Sequence, residues 1–158
     1  MSIDAAGFEE FFSSSAKIEI SGVKQRGSCS VTVNAMKRRP RILIVDDEPG
    51  LVRLLALMLT TRYEVRSIYD STQALQAAVE FKPHLILLDW VMPQMHGGDV
   101  AQQIRADARL CDTRILFHSA ALSKRDERHD MAGFPAVAKP IGLNELVEAI
   151  EKQMSEID

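Results

Sequence analysis

Between residues 41 and 150 the apolar positions alternate between short dense runs and stretches spaced by three and four. Arg41–Val45, Tyr63–Ile68, His84–Leu88, Arg114–His118 and Pro135–Ala138 are short apolar runs, several of them β-branched, and read as strands. His84–Leu88 is almost wholly apolar, as a strand covered on both faces requires. Helical spacing fills the intervals. Leu51, Leu54, Leu55, Met58 and Leu59 fall on one predicted helix face, behind Asp47 or Glu48 and then Pro49, which fits a first helical turn. Asp70 or Ser71 caps a predicted helix through Phe81 that turns Ala74, Leu75, Ala78 and Val79 inward. Val100–Ala108 is a helix with Ile104 inward, and Ala121–Ala132 is a weak, highly charged one. The last helix aligns Leu143, Leu146, Val147 and Ile150. Strands alternating with helices predict an α/β fold, a parallel sheet with right-handed crossovers and helices on both faces.

The chain changes character near Met36. Residues 1–38 read as an N-terminal extension and 39–158 as the domain. Within the extension, Ile18 and Ile20, then Cys29, Val31 and Val33, alternate with polar neighbours and suggest two short strands. A lone hairpin is marginal in water, so this segment docks elsewhere or stays disordered, or translation begins at Met36. The three readings stand side by side.

Composition adds mainly exclusions. A net charge of −3 argues against a nucleic-acid or membrane-surface role, and Lys37, Arg38, Arg39 and Arg41 read as a solvated lead into the first strand. Cys29 and Cys111 lack metal-like spacing and read as reduced thiols of a cytoplasmic protein. No apolar run approaches transmembrane length, and the N-terminus does not read as a secretory signal.

The chemistry sits where the strands end. In open parallel sheets the functional crevice lies beyond the carboxyl ends of the strands. Asp46 and Asp47 follow the first predicted strand, Asp89 the third, Ser119 the fourth and Lys139 the fifth. Singly, each is an ordinary cap, turn residue or solvated charge. Together they place three carboxylates, a hydroxyl and an ammonium in one crevice. Such carboxylates repel unless a cation offsets them, and a hard divalent ion, most simply Mg²⁺, does so. Asp89 can then act as an oxygen nucleophile toward a phosphoryl donor, with Lys139 offsetting charge and Ser119 donating a hydrogen bond to the transferring group.

The segments RILIVDDEPG, LILLDWVMPQMHGG, ILFHSA and AVAKP resemble, in order and spacing, the four signature segments of response-regulator receiver domains. The resemblance covers about residues 39–155. It implies a flavodoxin-like, doubly wound, five-stranded parallel sheet of order 2-1-3-4-5, with a cis Lys139–Pro140 bond. It implies that Asp89 is the phosphoacceptor, that Asp46, Asp47, Asp89 and the carbonyl of Val91 hold Mg²⁺, and that Ser119 and Lys139 contact the phosphoryl group. The implied donor is a phosphohistidine on a sensor histidine kinase or a histidine phosphotransfer protein, and the implied output is a shift toward a conformation that binds another protein.

Three departures from the family pattern stand out. Ala136 occupies the position where the family carries an aromatic ring that swings inward on activation. The stretch from Ser119 to Lys139 is a residue or two short. Val91 and Ala121, at positions that govern attack of water on the aspartyl phosphate, cannot orient water through their side chains and imply slow hydrolysis. His96 reads as a surface loop residue, His118 as a partly buried structural histidine, and Trp90 as a ring beside the crevice. With only a short helical tail after Ile150, the chain is expected to act by binding proteins and to catalyse nothing beyond its own phosphorylation and dephosphorylation. The alternative is a docking module indifferent to phosphorylation. A small-molecule phosphatase ranks third, because Val91 stands where such enzymes place a second acid.

Overall fold

The computed structural model describes residues 39–122 and 130–155. The predicted hairpin of the extension and Cys29 lie outside these residues. Within them the chain runs β1 (Arg41–Val45), α1 (Pro49–Leu59), β2 (Glu64–Ile68), α2 (Ala74–Phe81), β3 (Leu85–Leu88), α3 (Gly97–Ala106), β4 (Arg114–Ser119), β5 (Asp130–Met131), β6 (Phe134–Ala138) and α4 (Leu143–Ser155). Single 3₁₀ turns at Ser71–Gln73 and Ala108–Leu110 flank α2 and follow α3.

The sheet has the order β2-β1-β3-β4-β6-β5. Its five long strands are parallel and run 2-1-3-4-5 once β6 is counted as the predicted fifth strand. Alternation along the strands divides the core. Leu43, Val45, Ile86, Leu88, Ile115 and Phe117 face one side, where Ala74, Ala78, Val100 and Ile104 of α2 and α3 cover them. Ile42, Ile44, Leu85, Leu87 and Leu116 face the other, under Val52, Leu55 and Leu59 of α1 and Leu146 and Ile150 of α4.

The sixth strand corrects the predicted helix Ala121–Ala132. Asp130 and Met131 pair antiparallel with Pro135 and Phe134, and the turn between them has positive φ at Ala132 (51°) and Gly133 (80°). A two-residue hairpin turn of this hand needs positive φ at both central positions, which glycine adopts freely. Residues 123–129 of the predicted helix lie outside the described residues.

A second correction concerns α1. The buried residues are Val52, Leu55 and Leu59, whereas Leu54, placed inward by its spacing, is 53% exposed and Leu57 is 73% exposed. The helix PGLVRLLALML has a single charged residue, Arg53. With almost every position apolar, periodicity cannot select one face, and contact with the sheet decides. Leu143, also placed inward, is 39% exposed at the start of α4.

Leu55→Ala should therefore destabilise the fold by ~2–5 kcal/mol, while Leu54→Ala and Leu57→Ala should change it by less than about 1 kcal/mol. Urea denaturation of the three variants measures the contrast. A large loss at Leu54 would place the inner face of α1 elsewhere.

Candidate functional site

The parallel register brings the strand ends level. Asp46 N–H donates to the Ile68 carbonyl, Asp89 N–H to Val45, and Lys139 N–H to Ser119, at 3.2, 2.9 and 2.9 Å. Backbone bonds that continue the sheet thus seat the residues just past β1, β3 and β6 side by side. The peptide bond Lys139–Pro140 is cis.

Asp46, Asp47, Asp89, Val91 and Lys139 border one open crevice of about 450 Å³. Asp46 and Asp89 are buried, Asp47 is exposed, and one carboxylate oxygen from each lies within 4.8 Å of the other two. Lys139 Nζ lies between the buried pair, donating to Asp46 Oδ2 at 2.6 Å and lying 3.1 Å from Asp89 Oδ1. The other Asp46 oxygen accepts the Glu48 N–H at 2.9 Å, so this carboxylate also anchors the start of α1.

The electrostatics follow from burial. Loss of solvent pushes the Asp89 carboxyl above its ordinary range; Asp46 adds to the rise and Lys139 opposes it. Burial pulls the Lys139 ammonium down, but Asp46 and Asp89 outweigh it, so its affinity for the proton is raised. One ammonium thus serves two buried carboxylates while a third stands at the mouth. Three oxygen donors around a small opening suit a hard divalent cation, and their geometry fits one.

Ser119 occupies the end of β4 but does not border the crevice. It is fully buried, and its Oγ accepts the Ala121 N–H at 3.1 Å, forming a local turn. Ala120 lines the crevice instead. The Ser119 hydroxyl keeps its proton for donation.

The histidines divide. His96 is exposed and caps α3, its Nδ1 accepting the Gly98 N–H at 3.2 Å. His118 is more deeply buried than expected, at 2% exposure, and neither ring nitrogen has a hydrogen-bond partner among the described residues. Burial and the nearby Lys139 lower it to about 4, so it is neutral near pH 7. Trp90 lies against Phe117 edge to face at 4.9 Å and against His96 at 4.5 Å. The missing ring at Ala136 has a structural counterpart. Ala136 is buried and pairs with Phe117 across the sheet, and Phe117 in turn meets Phe134 at 5.9 Å.

Two residues that shape the site were not legible as such. A Cβ at Gly97 would overlap the Asp89 carbonyl oxygen, so the loop returns over the Asp89 backbone only with glycine there. Ser71 reaches from the turn after β2 to the far limb of that loop. The glycine pair was visible as a loop signal alone, and no sequence signal separates Ser71 from any capping serine.

An α/β sheet with an acidic crevice beyond its strand ends and a lysine bridging two buried aspartates is the arrangement that the four signature segments imply. The response regulator receiver domain family matches residues 42–151, and the chain belongs to that family. It is 30% identical over 122 residues to the DNA-binding dual master transcriptional regulator RpaA of Synechocystis, covering 75% of this chain and 51% of that protein. It is 44% identical over 71 residues to the DNA-binding response regulator MtrA of Mycolicibacterium smegmatis, covering 44% and 31%. The chain thus spans about half, or less, of these relatives. The receiver domain of a Pseudomonas aeruginosa sensor histidine kinase, solved with a magnesium ion coordinated in its active site cleft, superposes with a TM-score of 0.66 at 28% identity, covering 74% of this chain and 98% of that one. Among the described residues no helix is long and apolar enough to cross a membrane.

The buried His118 has a pH consequence. Its proton affinity is lower folded (about 4) than unfolded (about 6.5). The unfolded chain therefore binds more protons between these values, so its share of stability is full above about pH 6.5 and is lost as pH falls toward 4. His118→Leu should flatten stability over that window, measured by urea denaturation at a series of pH values. An unchanged slope would show that His118 is solvated.

Proposed function

We propose that this chain accepts a phosphoryl group on Asp89 from a phosphohistidine of a sensor histidine kinase or histidine phosphotransfer protein, and signals through protein contacts. The observation that carries the reading is the placement of Asp89, buried past β3 with Oδ1 3.1 Å from Lys139 Nζ and its carboxylate within 4.8 Å of those of Asp46 and Asp47.

Asp46, Asp47, Asp89 and the Val91 carbonyl are the residues that would hold Mg²⁺. When bound, the ion would supply positive charge that offsets the charge of the phosphoryl oxygens. An Asp89 carboxylate oxygen forms a bond to phosphorus while the phosphorus–nitrogen bond of the donor breaks, and the electron pair leaves with the donor imidazole. Lys139 offsets charge on the phosphoryl oxygens in that passage, and the Ser119 hydroxyl donates a hydrogen bond to one of them. A bound cation would lower the raised proton affinity of Asp89, because added positive charge favours the carboxylate.

The donor's approach is over α1. Leu51, Leu54 and Met58 border an apolar groove of about 410 Å³ whose other wall includes Pro140 and Ile141. Glu48, Ala120 and Lys139 border both this groove and the acidic crevice. A donor helix laid in the groove therefore sits beside Asp89, and the exposure of Leu54 and Leu57 leaves apolar surface for it. The chemistry is confined to the chain's own phosphorylation and dephosphorylation, and these residues contact proteins rather than nucleic acid. The DNA binding in the names of the relatives belongs to proteins of which this chain matches a part. The second reading, a docking module indifferent to phosphorylation, draws on Ala136, which carries no ring to report the site.

With Mg²⁺ and acetyl phosphate, intact mass should show a single phosphoryl adduct on the wild type, absent without metal and absent from Asp89→Asn. Neither Val91 nor Ala121 can aim water at the aspartyl phosphate, so the adduct should persist for minutes or longer. A half-life of seconds would contradict that part. No adduct from either acetyl phosphate or a histidine kinase, on folded protein that binds Mg²⁺, would favour the docking module.

A further inference from the structure

The loop joining β3 to α3, residues 90–96, carries the backbone on which the proposed cation site depends. Val91, whose carbonyl is the expected ligand, sits on its outer limb with a 62% exposed side chain. An exposed loop has to be held if it is to present a carbonyl at a fixed place. Three anchors hold this one. Met92 is buried among the core residues beneath the crevice, at 6% exposure. The Gly97 N–H donates to the Trp90 carbonyl at 3.0 Å and closes the base of the loop.

The third anchor comes from another part of the chain. Ser71 belongs to the 3₁₀ turn after β2, and capping of that turn is done by its neighbour, the Asp70 carboxylate, which accepts the Thr72 N–H at 2.9 Å. The Ser71 side chain faces away from its own turn. It is 2% exposed, and its Oγ accepts the Met95 N–H at 3.0 Å. Met95 is itself partly buried against the core. A hydrogen bond that is shielded from water, made to backbone, and spans two separate loops fixes position more firmly than an exposed one.

We propose that Ser71 is a positioning residue for the cation site. It touches neither the phosphoacceptor nor the crevice. By holding Met95 it fixes the limb of the loop opposite Val91, so the Val91 carbonyl and Asp89 are presented together. Without the hydroxyl, the Met95 N–H finds a partner only in water, and reaching water draws the loop outward. The proposal rests on the cation role given to Asp46, Asp47, Asp89 and Val91 above.

The test is Mg²⁺ titration calorimetry on the full chain, comparing wild type with Ser71→Ala, Ser71→Thr and Leu55→Ala. The last destabilises the opposite side of the sheet without touching the loop and serves as the control for lost stability. Ser71→Ala should weaken Mg²⁺ binding about tenfold, as loss of a group that orients a ligand does. Ser71→Thr, which keeps the hydroxyl, should recover most of that loss, and Leu55→Ala should bind as the wild type does. In acetyl phosphate reactions the Ser71→Ala rate should fall at low Mg²⁺ and recover at saturating Mg²⁺. Wild-type Mg²⁺ affinity in Ser71→Ala, or an equal loss in Leu55→Ala, would overturn the positioning role and leave the cation site standing. Absence of Mg²⁺ binding by the wild type would overturn the cation site, and the role of Ser71 with it.

Discussion

Everything at this site depends on the electrostatic contact of Lys139 with two buried aspartates. Asp46 and Asp89 follow neighbouring strands, and the sheet's own hydrogen bonds set them side by side. Two carboxylates shielded from water at that separation repel, and without a counter-charge one of them takes up a proton. Lys139, directly after β6 and before the cis proline, supplies the charge at 2.6 and 3.1 Å. Its single ammonium is shared, and burial still leaves Asp89 more easily protonated than an ordinary aspartate. The crevice is thus short of positive charge, and the proposed divalent cation would offset that shortage.

The surroundings serve to keep this charge arrangement in place. Gly97 lets the loop fold back over the Asp89 carbonyl, and Ser71 ties down the far limb. Asp46 shares its second oxygen with the Glu48 N–H, so the start of α1 and the proposed cation site rest on one carboxylate. Ala136 carries no ring, and Phe117, its partner across the sheet, makes contact with both Trp90, next to Asp89, and Phe134 at the hairpin.

The sheet was legible because fully buried parallel strands write themselves as dense apolar runs, and the acidic and basic site residues stand immediately after those runs. LILL followed by Asp89 carries its own boundary. The inner face of α1 was not legible, because a helix with one charged residue has no polar side to point outward. The hairpin at 130–134 was missed for a related reason. Its only local mark is Ala132–Gly133, and a turn made with positive φ at alanine is a tertiary outcome rather than a propensity. Among the site residues, Asp46, Asp47, Asp89, Val91 and Lys139 meet as their positions implied, whereas Ser119 is turned into a local bond with Ala121. Ser71 was hidden, since a serine after Asp70 reads as a cap until the fold brings Met95 within reach.

The most direct test of the central claim is chemical. An aspartyl phosphate is an acyl phosphate, and borohydride reduces it to homoserine at the residue that carried it. Protein phosphorylated in Mg²⁺ should, after reduction and peptide mapping, contain homoserine at position 89 and nowhere else. Homoserine at Asp46 or Asp47, or a phosphoryl group that resists reduction and maps to a hydroxyl side chain, would contradict the assignment of Asp89 and the mechanism built on it.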